Sequence, residues 1–409
     1  MLRSTAWCVV ALLVATAGPH RVGVLQAQAK SPAPALDAAT SKRVAESVVS
    51  QTARVRPGEL VVLSGGERDL RFLEDLAVAV RRAGARSIID YQSNRLARRL
   101  YDEVPAALDS MAPQLKTLPI TDVFIGTDYL DPSTFDGVDP TRLAARQKAD
   151  APFREALKSW KGRSVGLGNG LYPTPGNARQ AGMTLGQLTA LYRAGLAVDY
   201  AALERRAEAI RAALEDGSEV HLTAANGTDL TAKIAGQKPY TSDGVISDAD
   251  RKGNLAQRVA YLPAGEVYIV TAPGSATGTL VMDRTWYRNH PITKLRVEVE
   301  AGKVRNLSAA AGAAGLQADY EKAGPGKDQV GVLDIGINPA IHPPAGSHTQ
   351  PWSQAGMVTI ALGNNQWAGG DNAGEFAFPI QLTGATLVID GTTLVDHGKL
   401  VTPAAAAAR

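Results

Sequence analysis

Two histidines, His342 and His348, stand with Pro343, Pro344 and Gly346 in the stretch between Asp334 and Thr359, and Asp371 and Glu375 follow. Imidazole nitrogens and carboxylate oxygens are the side-chain donors that hold divalent cations, so this stretch has the residue types for metal chemistry. The same histidines also read as ordinary members of a Pro- and Gly-rich loop, since a single His is more often structural than a ligand. A second candidate is the turn Ser64-Gly65-Gly66 between an apolar strand and a helix. Backbone amides there could hold an anion, or the glycine pair serves only a tight turn. Other familiar sites are absent: there is no His-Glu-x-x-His, no Gly-x-Ser-x-Gly elbow and no Walker-type loop. Gly324-Pro325-Gly326-Lys327 has the lysine of a phosphate loop without its spacing or its following Ser or Thr.

A series of motifs runs through most of the chain in a consistent order. Val55-Arg56-Pro57-Gly58-Glu59-Leu60-Val61-Val62 opens it, followed by Thr241-Ser242-Asp243-Gly244-Val245 and Leu262-Pro263-Ala264-Gly265-Glu266-Val267-Tyr268. Thr277-Gly278-Thr279-Leu280 and Asp334-Ile335-Gly336-Ile337-Asn338-Pro339 come next, then Ile360-Ala361-Leu362-Gly363 with Gly369-Gly370-Asp371-Asn372. Val388-Ile389-Asp390-Gly391 and Asp396-His397-Gly398-Lys399 close the series. In these segments the chain resembles the aminopeptidase T family, also called the thermophilic metalloprotease family of aminopeptidases. The resemblance implies an α/β N-terminal domain, a β-rich (α+β) C-terminal domain that carries two metal ions, and a homodimer.

Carried over residue by residue, the family's first carboxylate matches Glu266, in the Pro-Ala-Gly-Glu loop. Its second, a glutamate, falls on Asp334, one methylene shorter, which displaces a bound cation by about an ångström. The first histidine falls on Thr359, the catalytic tyrosine on Gln366, and the closing His-x-Asp pair on Ala377 and Pro379. A catalytic Zn²⁺ or Co²⁺ site needs about three protein ligands plus water, which two carboxylates alone do not supply. His342 and His348, approaching from their loop, are the candidates to complete it. If active, the implied chemistry is metal-assisted hydrolysis of an N-terminal peptide bond, with Zn, Co or Mg as the cofactor and Asp334 as bridging ligand or base. The competing expectation is a non-catalytic periplasmic binding protein that keeps the cleft for a peptide or other small ligand. Trp286, Tyr287 and His290, with Trp352 and Trp367, are expected in loops around the site. There they would wall a pocket, or else pack a core or a dimer interface.

The elements that must position these residues change character along the chain. Residues 41–55 have amphipathic helical spacing and stop at the turn signal Arg56-Pro57-Gly58. Strands are predicted over 59–64, 86–91, 122–126 and 164–167. A helix over 69–83 has Phe72, Leu76, Val78 and Val80 as its apolar face, and Asp139-Pro140 starts another helix. The β-α-β-α order predicts a parallel sheet in an α/β domain over 41–185. After a long helix from 198 or 199 to 214, Asn226-Gly227 predicts a hairpin between 219–224 and 229–234. Strands over 266–271, 279–282, 294–300, 357–362, 386–389 and 393–395, with a hairpin at Asp390-Gly391, make 186–403 a β-rich domain.

The N-terminus has a basic residue, Arg3, an apolar run from Trp7 to Ala17 and an Ala27-Gln28-Ala29 site, the pattern of a secretory signal peptide cleaved near residue 29. The run is too short to span a membrane, which takes roughly 20 residues. Cleavage removes Cys8, the only cysteine, and with it any disulfide, thiolate nucleophile or cysteine metal site. A Pro/Ala/Ser linker over 30–40 and an Ala-rich tail over 404–409 bracket the two domains. Net charge is +3 with scattered Lys and Arg, so no basic stripe points to nucleic acid. The expectation is a periplasmic or secreted protein, with no membrane contact after cleavage.

Overall fold

The computed structural model describes residues 33–109 and 115–401; the expected signal segment, Cys8 and the Ala-rich tail lie outside them. The chain divides into two compact units, one of residues 33–178 with 245–262, the other of 179–244 with 263–401. The boundary expected at 185/186 therefore lies elsewhere, and residues 245–262 fall in the first unit rather than the β-rich one.

The first unit opens with α1 (Ala38–Ser47), N-capped by Asp37, whose side chain accepts from the Thr40 amide at 3.0 Å. It continues as a π-helical turn, Val48–Thr52, so the helix expected over 41–55 starts earlier and changes pitch. Within the stretch expected as a linker, Ala35 and Leu36 are buried, and the Ala35 amide donates to the Arg68 carbonyl. Then come β1 (Leu60–Gly65), α2 (Leu70–Arg82), β2 (Arg86–Tyr91), α3 (Asn94–Glu103), β3 (Val123–Thr127), α4 (Pro140–Ala149), α5 (Ala151–Ser159) and β4 (Arg163–Leu167). Alternate residues of these strands (Val61, Leu63, Val123, Ile125, Val165, Leu167) are buried, and α2 buries Phe72, Leu73, Leu76 and Val80. Val78, expected on that face, points outward at 50% exposure.

Beyond α6 (Pro175–Gln180), the second unit begins with α7 (Leu185–Leu196) and α8 (Tyr200–Asp216), the latter N-capped by Asp199. The hairpin β5 (Glu219–Ala224) and β6 (Thr228–Lys233) turns at Asn226-Gly227, and β7 (Tyr240–Ser242) follows. The next strand, β8 (Val259–Leu262), belongs to the first unit. It pairs in parallel with β4 and completes a five-stranded sheet in the order β2-β1-β3-β4-β8.

The rest is β9 (Glu266–Val270), β10 (Thr277–Tyr287), β11 (His290–Glu300), β12 (Lys303–Ser308), α9 (Ala314–Lys322), β13 (Val330–Gly336), β14 (Val358–Gly363), β15 (Ala377–Leu382), β16 (Thr386–Ile389), β17 (Thr392–Asp396) and β18 (Lys399–Leu400). They form an eight-stranded sheet, β12-β11-β10-β6-β5-β16-β17-β18, and a five-stranded sheet, β15-β14-β13-β9-β7. Asp390 and Gly391 take φ values of 44° and 86°, the left-handed pair that a two-residue hairpin demands. The five-stranded sheet carries the candidate site, and its strand β13 is buried at every residue.

Candidate functional site

One face of the five-stranded sheet gathers the positions singled out in the sequence. Strand β13 pairs antiparallel with β9 and β14, setting Asp334 opposite both Tyr268 and Thr359. Thr359 in turn faces Gln381 of β15, and Tyr268 faces Tyr240 of β7. A single row therefore crosses the sheet as Gln381, Thr359, Asp334, Tyr268 and Tyr240. Glu266 lies two residues before Tyr268 and opposite Gly336, so its side chain emerges on the same face as Asp334. Such diagonal neighbours sit roughly 7–8 Å apart. On the other side of Asp334, Val332 is flanked by Val270 and Ala361, and Ala361 by Pro379; Ala377 faces Gly363 one step further.

Both carboxylates are buried, Asp334 at 0% and Glu266 at 3% exposure. Asp334 is in the interior of a strand and Glu266 begins one. The Thr359 hydroxyl is buried beside them with no hydrogen-bond partner among the described residues. Aromatic rings cover this floor. Tyr268 stacks on Tyr240 at 5.8 Å between centroids and tilts against Trp367 at 5.3 Å, and Trp352 meets Trp367 edge-on at 5.7 Å. The three rings Tyr268, Trp352 and Trp367 pack on Val270, Val332, Ala361 and Ala368.

Two glycines and an asparagine fix the loops around this face. Gly265, just before Glu266, has φ +136°, and a Cβ there would sit 2.6 Å from the Asn338 Cβ. The Asn338 amide donates to the carbonyls of Ala264 at 2.7 Å and Gly195 at 3.2 Å, tying the Pro-Ala-Gly turn to the end of β13. At Gly336 a Cβ would meet the carbonyl oxygens of Gln354 at 2.0 Å and Trp352 at 2.3 Å. Only a glycine lets the segment bearing Trp352 cross that close over the strand.

The other candidates are held elsewhere. The His342 ring is exposed and bonds to the Pro339 carbonyl at 2.7 Å. The His348 ring stacks on Trp286 at 4.5 Å, and its backbone amide donates to Ala181. Trp286, Tyr287 and His290 lie in β10 and β11 rather than in loops, and the Tyr287 hydroxyl donates to Asp319 at 2.6 Å. Gln366, Asp371 and Glu375 are exposed. Among the described residues no three His, Cys, Asp or Glu side chains converge as a metal would require. The sheet face supplies two carboxylates, the Thr359 hydroxyl, the Gln381 amide and the phenols of Tyr268 and Tyr240 but no imidazole, with Ala377 and Pro379 bringing no donor. That donor set does not fit a transition-metal centre, which takes about three strong protein ligands.

The Ser64-Gly65-Gly66 turn is occupied from within. The Gly66 amide donates to Asp69 at 2.9 Å, and a Cβ on Gly66 would lie 2.6 Å from Tyr129, whose ring rests on the turn. Asp69 also accepts from Thr127 at 2.6 Å and Tyr172 at 2.8 Å, so the amide meets an internal carboxylate instead of a ligand. Burial pushes Asp69 above the usual carboxylate range despite these bonds. It pushes Asp128 up to about 7, opposed by the Asn169 amide and reinforced by the Asp69 charge. Sequence reading missed this acid pair, because Asp69 lies in the turn before α2 and Asp128 directly after β3, far apart in the chain.

Comparison with known proteins agrees with this architecture. The profile of the family described as thermophilic metalloprotease (M29) matches residues 38–323, ending before β13, β14 and β15. Wild-type AmpT from Thermus thermophilus is similar in structure, with a TM-score of 0.66 and 19% identity over 89% of this chain and 99% of that one. The 2,5-dihydroxypyridine dioxygenase from Pseudomonas putida KT2440 is also similar, with a TM-score of 0.60 and 15% identity over 90% of this chain and 99% of that one. No curated protein sequence matches the chain. The profile covers well over half of the sequence, Glu266 and its loop included, and on that ground the chain belongs to the thermophilic metalloprotease (M29) family of aminopeptidase-like metallopeptidases.

Proposed function

We propose that this protein is an exported member of the M29 family that uses the acid-floored, aromatic-covered sheet face to bind a peptide or other small molecule, without two-metal hydrolysis. The donor set carries the reading: Thr359, Gln366, Ala377 and Pro379 occupy the positions where the family resemblance calls for ligands and a catalytic tyrosine, and His342 and His348 are engaged elsewhere. The fold alone does not fix the reaction, since one similar structure bears the name of a peptidase-family protein and the other that of a dioxygenase. Export rests on the N-terminal signal pattern, and a homodimer on the family resemblance; light scattering of the mature protein tests the latter.

The second reading, hydrolysis of N-terminal peptide bonds with a divalent metal, is favoured by family membership and by Glu266 and Asp334 sharing one face. Elemental analysis of the purified mature protein, with leucyl-p-nitroanilide turnover in added Co²⁺ or Zn²⁺, separates the two. The binding reading expects no stoichiometric metal and no turnover, together with a saturable change in tryptophan fluorescence on adding short peptides, weakened in Trp367→Ala. Stoichiometric metal with turnover, both lost in Glu266→Gln, would establish the hydrolase instead.

A further inference from the structure

Another part of the molecule, within the first unit, carries charge that its own residues leave uncompensated. An open cavity of about 530 Å³ lies at the amino ends of β1, β3 and β4, with Trp160 and Leu118 in its wall. Its ionic lining is Lys161, Arg163, Arg251 and Arg258 against Glu59 and Asp122, four cations and two carboxylates, a surplus of two positive charges. Arg163 and Arg258 are only 5% and 4% exposed.

The two carboxylates are already engaged. Glu59 binds Arg163 in a fork at 2.9 and 2.6 Å and has Arg251 at 3.8 Å. Asp122 accepts from the Leu60 amide at 2.8 Å. Arg251 reaches Asp248 at 3.7 Å, but Asp248 is held more closely by Arg56 at 2.6 Å. Among the described residues the Arg251 Nε is buried with no hydrogen-bond partner while its Nη2 donates to the Ala53 and Arg54 carbonyls, and Arg258 donates only to the carbonyls of Trp160 and Gly162. Carbonyl oxygens at the end of α5 satisfy N–H groups but offer only partial negative charge. A guanidinium does not shed its proton, so burial without a counter-charge is costly and an anion relieves it. Burial, and then the nearby charges of Arg163 and Arg56, push Arg251 below the usual guanidinium range.

We propose that this cavity is an anion site that takes a small oxyanion, carboxylate or phosphate, and seats any apolar body the ligand carries on Trp160 and Leu118. Guanidinium forks match the paired oxygens of such groups, which a spherical halide does not offer.

The test uses the full mature chain, titrated calorimetrically with inorganic phosphate, acetate and benzoate, with chloride at matched ionic strength as the control. Saturable binding of at least one oxyanion is expected, with chloride ineffective, and benzoate above acetate if the apolar wall contributes. Arg251→Gln is expected to weaken that binding at least tenfold. Lys161→Ala, at an exposed position that does not threaten folding, is expected to weaken it several-fold and keeps the test decisive if the arginine variant does not fold. Equal effects of chloride, no saturable binding, or unchanged binding in the folded variants would overturn the site.

Discussion

Asp334 and Thr359 are direct cross-strand neighbours, and their pairing shows why single side chains decide the chemistry of this face. A threonine there brings a hydroxyl where an imidazole would bring a strong metal donor. The residue scale also yields a pH dependence in the first unit. Asp128 keeps its proton in the folded state to about pH 7, while the unfolded chain releases it near the usual 3.8. Between these values the folded protein binds more protons than the unfolded one, so stability falls as pH rises from about 4 to about 7 and is unaffected by this group below that window. The raised Asp69 acts in the same sense. Asp128→Asn is expected to flatten the slope and to stabilise the protein at pH 8 by about 2–4 kcal/mol. Urea denaturation of the two proteins at pH 5 and pH 8 reads this directly, and parallel pH profiles would refute it.

At the scale of elements, local signals place strands and turns well where β-branched runs and turn residues mark their limits. Residues 86–91 form β2 as predicted, Asp139 caps α4 in front of Pro140, and the two Gly-containing hairpins lie at Asn226-Gly227 and Asp390-Gly391. Strand β13 was harder to read, because all seven of its residues are buried and no alternation marks its length. Asp334 lies in the interior of that strand. The segment that covers this strand depends on Gly336. Gly336→Ala is expected to cost about 1–3 kcal/mol by overpacking, with the damage centred on the Trp352 segment. Chemical denaturation together with the near-ultraviolet dichroism of the tryptophans would report it, and an unchanged spectrum and midpoint would show that the backbone yields without penalty.

At the scale of the molecule, the two units are not consecutive stretches of chain. Strand β8, after the first β-rich segment, returns to pair with β4, and its Leu262 carbonyl accepts from the Gly168 amide at 2.7 Å. A fragment ending at residue 178 leaves that edge of β4 open, and is expected to be poorly soluble or to lack cooperative unfolding. The same fragment joined to residues 245–262 by a flexible linker is expected to unfold cooperatively. Equal behaviour of the two in thermal melts would show that the fifth strand is dispensable.

What the sequence determined by itself was the family, through motifs spread over most of the chain. Residue identity and spacing are local quantities, as are the Asx caps and the Asn-Gly and Asp-Gly turns, and all of these are legible in one dimension. Tertiary structure alone decided which residues share a face. Antiparallel register set Glu266, Asp334 and Thr359 side by side, while His342 and His348 turned to Pro339 and Trp286. It also brought Arg251 to Glu59 and set Arg258 in the same cavity wall, across nearly the whole sequence separation of the first unit. Such pairings depend on non-local register and on burial of charge, neither of which leaves a periodic trace in the residues that take part.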